Sequence, residues 1–326
     1  MKRWLPEGRA ALAFGALAAL VAAAGRAQAP SPAPSATPND TTYTNVTWSE
    51  LTYSAHKFFL GAATTIKVER VPPAAVTTAL RPAVAGQSVP IPARPSVAIT
   101  VDTELPFGRD ESVRLFFDPT TGAALGGEKT SLGGSAYHKV FRYTEGGLFT
   151  WRSAPTNQRE ENLPPAEWSG RKAYLIQPVV PPPPGAPVAD SYALIYLVSA
   201  ARLHRRGESM RVLMLADDRY VEVVFVAGGL TYQRASFEEV LPDGARRREK
   251  DVLVRQVKVM ARALGSSESS EDVELGFLGM RGTLTVDLEV DSDLPVALSG
   301  RVQHIGELTV RLNRAVLDRE PPRGLR

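Results

Sequence analysis

Apolar and polar positions alternate along much of the chain, which predicts β-strands with one buried face. The alternation is plain in 97–101 and 113–117, and clearest in 283–290. In the last run a period of two places four apolar side chains inward and three polar ones outward: Leu284, Val286, Leu288 and Val290 against Thr285, Asp287 and Glu289. Paired runs separated by turn residues predict hairpins: 48–53 with 62–71, 137–143 with 148–152, and 210–216 with 220–226.

Two later runs, 231–239 and 251–264, also predict strands, and they flank the charged segment 246–250. We expect this segment to be a hairpin tip in solvent, with a contact to anionic lipid as the alternative. The Pro- and Ala-rich stretch 71–95 predicts a long loop. The four prolines of 181–184 predict a stiff polyproline II spacer, or alternatively a ligand for a partner's aromatic groove.

One helix is predicted at the centre of the chain, over 192–203. Asp190 is a suitable N-cap, because its carboxylate can accept the free N–H groups of the first turn. The segment is apolar on nearly every face, which predicts burial on more than one side. A basic end, 202–206, complements the helix dipole, and Gly207 is expected to close it. The fold class predicted is mainly β (α+β), with one short central helix on a large antiparallel sheet.

The first 29 residues match a secretory signal peptide. Lys2, Arg3 and Arg9 precede an apolar run, 10–24, that is too short for a confident membrane span. Cleavage is expected after Ala24 or Ala29, with a retained anchor as the alternative. We therefore expect an exported protein, in the periplasm or else outside the cell, with a Pro/Ser/Ala-rich disordered tether at 30–45. A single β-rich domain at 46–318, without a transmembrane span, and a disordered tail at 319–326 would follow.

Charge and cysteine content narrow the function classes. The leader holds four of the 38 Lys and Arg residues and one of the 35 Asp and Glu residues, so the remainder carries 34 of each. This balance removes the main electrostatic argument for nucleic-acid binding. The absence of cysteine excludes disulfides, thiol catalysis and cysteine-based zinc sites.

Several short motifs are spread over most of 48–317: Trp48-Ser-Glu-Leu-Thr-Tyr53, Phe59-Leu-Gly-Ala-Ala63, Asp190-Ser-Tyr-Ala-Leu194, Gly207, Asp291-Ser-Asp-Leu-Pro-Val296 and Gly306. Together they resemble a bacterial envelope family catalogued as domain of unknown function 3108. The Pro-rich insertions at 71–95 and 178–187 depart from the family pattern. So does Asp293, where the family often has a basic residue. The resemblance implies a curved antiparallel sheet, or half-barrel, wrapped around a helix, similar to periplasmic lipoprotein and lipid carriers, and it implies no catalytic residues.

No local motif for a metal, a cofactor or a catalytic nucleophile is present. The four histidines, His56, His138, His204 and His304, lack ligands at metal-binding spacing. The carboxylate pairs 217–218, 238–239 and 291/293 fall at predicted turns or strand ends, where solvated acids are expected. We therefore predict no catalytic residues, no bound cofactor and no metal.

The aromatic residues suggest a binding site. Five of them are predicted to line an apolar groove between sheet and helix, with ordinary core packing as the alternative: Phe58, Phe59, Tyr192, Tyr196 and Phe225. The leading hypothesis is a non-catalytic envelope protein that holds a hydrophobic small molecule or lipid there. Its alternatives are an envelope scaffold acting through a sheet edge or the polyproline segment, and a hydrolase with a dispersed site.

Overall fold

The computed structural model describes residues 43–44, 46–57, 60–105, 109–216, 219–264, 280–302 and 306–318. The predicted signal peptide, most of the predicted tether and the predicted tail lie outside these residues. Phe58, Phe59, the pair 217–218 and His304 also lie outside them.

Among the described residues, fifteen strands form one sheet. They are β1 (Trp48–Lys57), β2 (Leu60–Val71), β3 (Ser96–Leu105), β4 (Arg109–Phe117), β5 (Ala124–Ser131), β6 (Tyr137–Thr144), β7 (Gly147–Ala154), β8 (Gly170–Ile176), β9 (Val188–Ala189), β10 (Ser209–Ala216), β11 (Arg219–Leu241), β12 (Gly244–Ala263), β13 (Met280–Glu289), β14 (Pro295–Val302) and β15 (Gly306–Leu317). The helices are α1 (Pro73–Ala79), α2 (Gln158–Glu161) and α3 (Leu194–Ala200), with 3₁₀ turns at Pro165–Glu167 and Ser191–Ala193.

The strand order places β1 beside β15, so the two ends of the domain meet in the middle of the sheet. From β1 the sheet continues through β2 to β8, and from β15 it continues through β14 down to β9. Nearly all neighbours are antiparallel, but β9 pairs with β10 and β11 pairs with β15 in parallel. The β11–β15 pairing joins Glu238–Val240 to Arg314–Val316 and closes a ring of five strands, β11 to β15.

The α3 helix lies in the main core. All seven of its residues are buried. The core around it contains residues from both halves of the sheet, β1 to β8 and β9 to β15. From Val221 to Phe225, β11 alternates as a strand with one buried face does, because Val221, Val223 and Phe225 are fully buried while Glu222 and Val224 are half-buried. The predicted fold class, a mainly β protein with one short central helix on a large sheet, is confirmed.

Several details of the prediction are wrong. The predicted loop 71–95 contains α1, and the sequence pattern did not indicate β5 or β8. Asp287 and Glu289, predicted to face solvent, are only 8% and 4% exposed. The central helix is also shorter than predicted. It ends at Ala200, and the left-handed backbone of Arg202 (φ 49°) turns the chain there, five residues before Gly207.

Candidate functional site

Side chains fill the space predicted for an apolar groove. Tyr196 packs edge-to-face against Trp48 and Phe117, with ring centroids 6.2 and 5.1 Å away. Its hydroxyl donates to the carbonyl oxygen of Tyr43 at 2.7 Å, and burial raises its pKa to about 12. Phe225 is wholly buried. Two surface cavities of about 580 and 740 Å³ are lined by neither residue, so a ligand beneath the helix stays a prediction.

Hydrogen bonds fix the N-terminal end of the helix. Asp190 caps it as predicted, accepting from the backbone N–H of Tyr192 at 2.9 Å. The other carboxylate oxygen accepts from the hydroxyl of Tyr143 at 2.7 Å. Burial raises the pKa of the Asp190 carboxyl, although these two donors oppose the shift.

Tyr192 links the helix to two neighbouring strands. Its hydroxyl donates to Glu111 of β4 at 2.9 Å and accepts from Lys129 of β5 at 2.6 Å. The Lys129 ammonium lies 2.8 Å from Glu111 and 5.3 Å from the centre of the Tyr192 ring. Tyr192 is therefore the one described member of the predicted groove that reaches a charged, half-buried environment.

Lys129 begins a row of cations that crosses four strands. Residues directly opposite one another in antiparallel strands share a face. One such row runs from β1 to β8 and changes from apolar to cationic halfway: Leu51, Ile66, Val101, Val113, Lys129, Lys139, Arg152 and Lys172. The first four are buried in the core, so the row lies on the core-facing side of the sheet. We call its last four members the cationic row.

A tyrosine ring lies among these cations. The centre of the Tyr137 ring is 4.9 Å from the Lys139 ammonium, 5.1 Å from the Arg152 guanidinium and 5.9 Å from Lys129. Within the described structure, Nε of Arg152 is buried without a hydrogen-bond acceptor. The strands β5 to β8 carry six Lys or Arg residues and one carboxylate, Glu128. Like charges on adjacent strands cost stability, which an anion placed among them would offset.

The larger of the two cavities, a groove of about 740 Å³, lies on the same strands. Its lining includes Trp151, His138, Arg171 and Arg81, and also Arg152 and Lys172 of the cationic row. Nδ1 of His138 lies 3.0 Å from the hydroxyl of Thr130, and partial burial lowers the pKa of this histidine. The groove is polar and aromatic, and it lies away from the helix.

A second polar cluster lies at the C-terminal end of the helix. Arg202 and Asp293, the two non-glycine residues with left-handed backbone in the described part of the chain, approach to 3.9 Å. Burial raises the pKa of Asp293, against the opposing effect of His204, Arg202 and Arg255. Arg255 is 5% exposed, and its Nη1 has no acceptor among the described residues. Strained, partly unsatisfied groups at this end contrast with the fully bonded Asp190 cap.

The ring of strands contains a buried ion cluster that corrects two predictions. Glu239 is 1% exposed instead of solvated, and Arg248, predicted at an exposed tip, reaches it at 2.9 Å. Arg248 also binds Glu289 of β13 at 2.7 Å, and Arg246 binds Glu239 at 2.8 Å. The hydroxyl of Ser292 completes the cluster by donating to Glu289 at 2.6 Å. Arg248 thus fastens the ring internally, whereas Arg246, Arg247 and Glu249 of the same segment are exposed as predicted.

The cationic row was not foreseen from the sequence. Its four members lie in four separate strands, and β5 and β8 lacked a strand pattern, so their register was hidden. In the described part of the chain, no group of three or more His, Asp or Glu residues is arranged to hold a metal ion. No helix among the described residues has the length and apolarity needed to cross a membrane.

Comparisons with known proteins show a likeness to a solved structure. No protein-family model matches the chain, and no curated protein matches it, so the resemblance to domain of unknown function 3108 stays a prediction. Among solved structures, the chain is similar to a beta-barrel-like protein of domain of unknown function DUF1849 from Brucella abortus. The two share 7% sequence identity with a TM-score of 0.39, over 83% of this chain and 98% of that chain.

Proposed function

We propose that this is an exported, non-catalytic envelope protein that binds an anionic amphiphile, a molecule with an acidic head group and an apolar body. The cationic row is the observation that carries the proposal. Its members come from adjacent strands about 4.8 Å apart, so the row offers a band of positive charge roughly 14 Å long across β5 to β8.

The surroundings of the row support an amphiphile over a simple inorganic anion. The same face carries Phe141 and Tyr143 closer to the core, and Tyr137 and Tyr192 lie beside the cations. Aromatic side chains with a polar tip suit a ligand that is acidic at one end and apolar at the other. The resemblance to an envelope family akin to lipid carriers agrees with this ligand class, and the signal-peptide pattern supports export.

The test compares three probes by titration calorimetry below the micellar concentration. Dodecyl phosphate combines an acidic head with an apolar tail, dodecyl maltoside has the same tail with a neutral head, and inorganic phosphate has the head alone. We expect dodecyl phosphate to bind at least tenfold more tightly than either of the others. Equal binding of dodecyl phosphate and dodecyl maltoside would refute the proposal.

A pair of variants locates the site. Arg152→Gln removes a charge-assisted hydrogen-bond donor from the row, and we expect it to weaken binding of dodecyl phosphate about tenfold, equivalent to about 1.4 kcal/mol. Lys258→Gln is the matched control, because Lys258 is an exposed cation of β12 outside the row. If both variants weaken binding equally, the amphiphile binds through general charge and the row is not its site.

A further inference from the structure

Strand β8 ends the sheet with an open edge. Its seven residues pair with β7 without a register shift, and no described strand pairs with its other side. Residues 171–174 are exposed. An edge of this kind presents unpaired backbone N–H and C=O groups to any extended chain that approaches it.

The opposite end of the sheet is protected by two means. Strand β9 is only two residues long, and one of these, Ala189, is 3% exposed. Short, covered edge strands are a usual way of preventing edge-to-edge pairing. β8 is longer and contains neither a bulge nor a proline.

Apolar side chains are exposed in β8 and in the chain segments that precede and follow it. Eight large hydrophobic residues are exposed in the described part of the chain, and half of them lie in 163–180, in or next to β8: Leu163, Tyr174, Val179 and Val180. Val179 is 97% exposed. Exposed apolar residues gathered in one region mark interaction surfaces.

Two cations on β8 favour a partner strand that carries negative charge. Arg171 and Lys172 are neighbours, so they point to opposite faces of the strand. Arg171 is held in place by the carbonyl oxygens of Trp168 and Ala166, at 3.2 and 2.9 Å. Lys172 is the outermost member of the cationic row. A strand added beside β8 would place one residue opposite each cation, and opposite-charge pairs are the favourable choice.

We propose that an extended segment of another protein pairs with β8 as an additional strand, with acidic residues opposite Arg171 and Lys172 and apolar residues near Tyr174. A second copy of this chain is disfavoured as the occupant, because two β8 edges would bring their cations together. This inference goes beyond the proposed function and stands without it, because it concerns the strand edge and a protein partner instead of the cationic row and an amphiphile.

The test uses the synthetic peptide acetyl-Ser-Thr-Val-Thr-Val-Glu-Glu-Ser-Gly-amide, labelled for fluorescence polarisation. An added strand hydrogen-bonds to β8 through every second residue. Two N-methylated versions of the peptide, each blocking one of the two alternating sets of backbone amides, therefore separate backbone pairing from attraction by charge. We expect one version to bind within threefold of the parent and the other at least tenfold more weakly. Hydrogen exchange should slow in 170–176 when the parent peptide binds, and should stay unchanged in β10.

Variants and controls exclude the other occupants. Lys172→Glu should weaken the peptide at least fivefold and should improve binding of a version with both Glu replaced by Lys. A scrambled peptide of the same composition that binds equally well would show attraction by charge alone and overturn the inference. A concentration-dependent dimer in light scattering, with slowed exchange in 170–176 and no peptide added, would overturn it in favour of self-association. Binding of dodecyl phosphate is measured separately, so failure here leaves the amphiphile proposal untouched.

Discussion

Cations are clustered in two regions of the molecule: the end of the β11–β12 hairpin, and the strands β5 to β8. The two regions differ in the charges that lie next to these cations. In the ring, Arg248 lies between two buried glutamates, Glu239 and Glu289, which come from different strands. Along β5 to β8, cations of adjacent strands lie opposite one another, and Glu111 of β4 pairs with Lys129 at the inner end of the row.

The difference separates charges that build the fold from charges available to a ligand. A buried cation between two carboxylates on separate strands fixes how those strands close, since each charge would be costly alone. A row of like charges on a half-exposed face adds nothing to closure and costs some stability. The row of like charges on β5 to β8 is expected in a protein that binds an anion there for part of the time.

The largest effect is expected on removing the ring's central cation. Arg248→Met leaves Glu239 and Glu289 buried with one cation fewer, and we expect a loss of about 3–5 kcal/mol in the free energy of unfolding. The matched control is Arg234→Met in the same hairpin. Arg234 pairs with Glu249 at 3.2 Å, but their side chains are 64% and 59% exposed, so its loss should stay below about 1 kcal/mol.

Urea unfolding followed by circular dichroism measures both variants. Similar losses for Arg248→Met and Arg234→Met would show that burial of the glutamates is not what makes the cluster structural. The distinction between the two charged regions would then fail.

Asp190 is an intermediate case, a buried carboxylate held chiefly by neutral donors. Tyr143→Phe removes one of these donors, and we expect a loss of about 2 kcal/mol at neutral pH. Burial holds the pKa of Asp190 above its usual value. As the pH falls, this carboxyl is therefore protonated in the folded state before it is protonated in the unfolded state. Its contribution to the free energy of unfolding becomes more favourable on acidification. The Tyr143 hydroxyl favours the ionised form, so the loss caused by Tyr143→Phe should shrink as the pH falls through the folded pKa of Asp190.

Thermal or urea unfolding at several pH values between 4 and 8 provides the measurement. Tyr196→Phe is the control, since the Tyr196 hydroxyl donates to the backbone carbonyl of Tyr43, which does not titrate. Its loss should be about 1 kcal/mol and independent of pH. A Tyr143→Phe loss that grows on acidification would contradict the assignment.

The parts of the fold that the sequence predicted are those governed by local pattern. The hairpin β10–β11 follows from period-two burial, and the Asp190 cap and buried helix follow from a short apolar segment behind an acceptor side chain. The helix end was misplaced because Arg202 (φ 49°) already turns the chain there, ahead of Gly207, which also has a positive φ of 83°. Nothing in the residue type signals that choice.

The candidate site was missed because it depends on register between distant strands. β5 begins Ala-Leu-Gly-Gly, without the β-branched alternation that marks a strand, and β8 is largely exposed, so neither gave a pattern. Without them, Lys129, Lys139, Arg152 and Lys172 are isolated cations. The burial of Glu239 was hidden for a similar reason, since it depends on the parallel pairing of β11 with β15, far apart in the chain.

The smallest effect tests the cationic row directly. In Lys172→Glu a carboxylate replaces a cation opposite Arg152, and we expect a gain of about 0.5 kcal/mol in unfolding free energy at low ionic strength. Salt should reduce this gain, because it screens the repulsion in the unmodified protein. Lys258→Glu, where Val226 and Thr285 lie opposite, should change stability by less than about 0.3 kcal/mol. A loss of stability in Lys172→Glu, or a gain that salt leaves unchanged, would mean that the cations of the row do not repel one another. The contrast between the row and the ring would then lose its electrostatic basis.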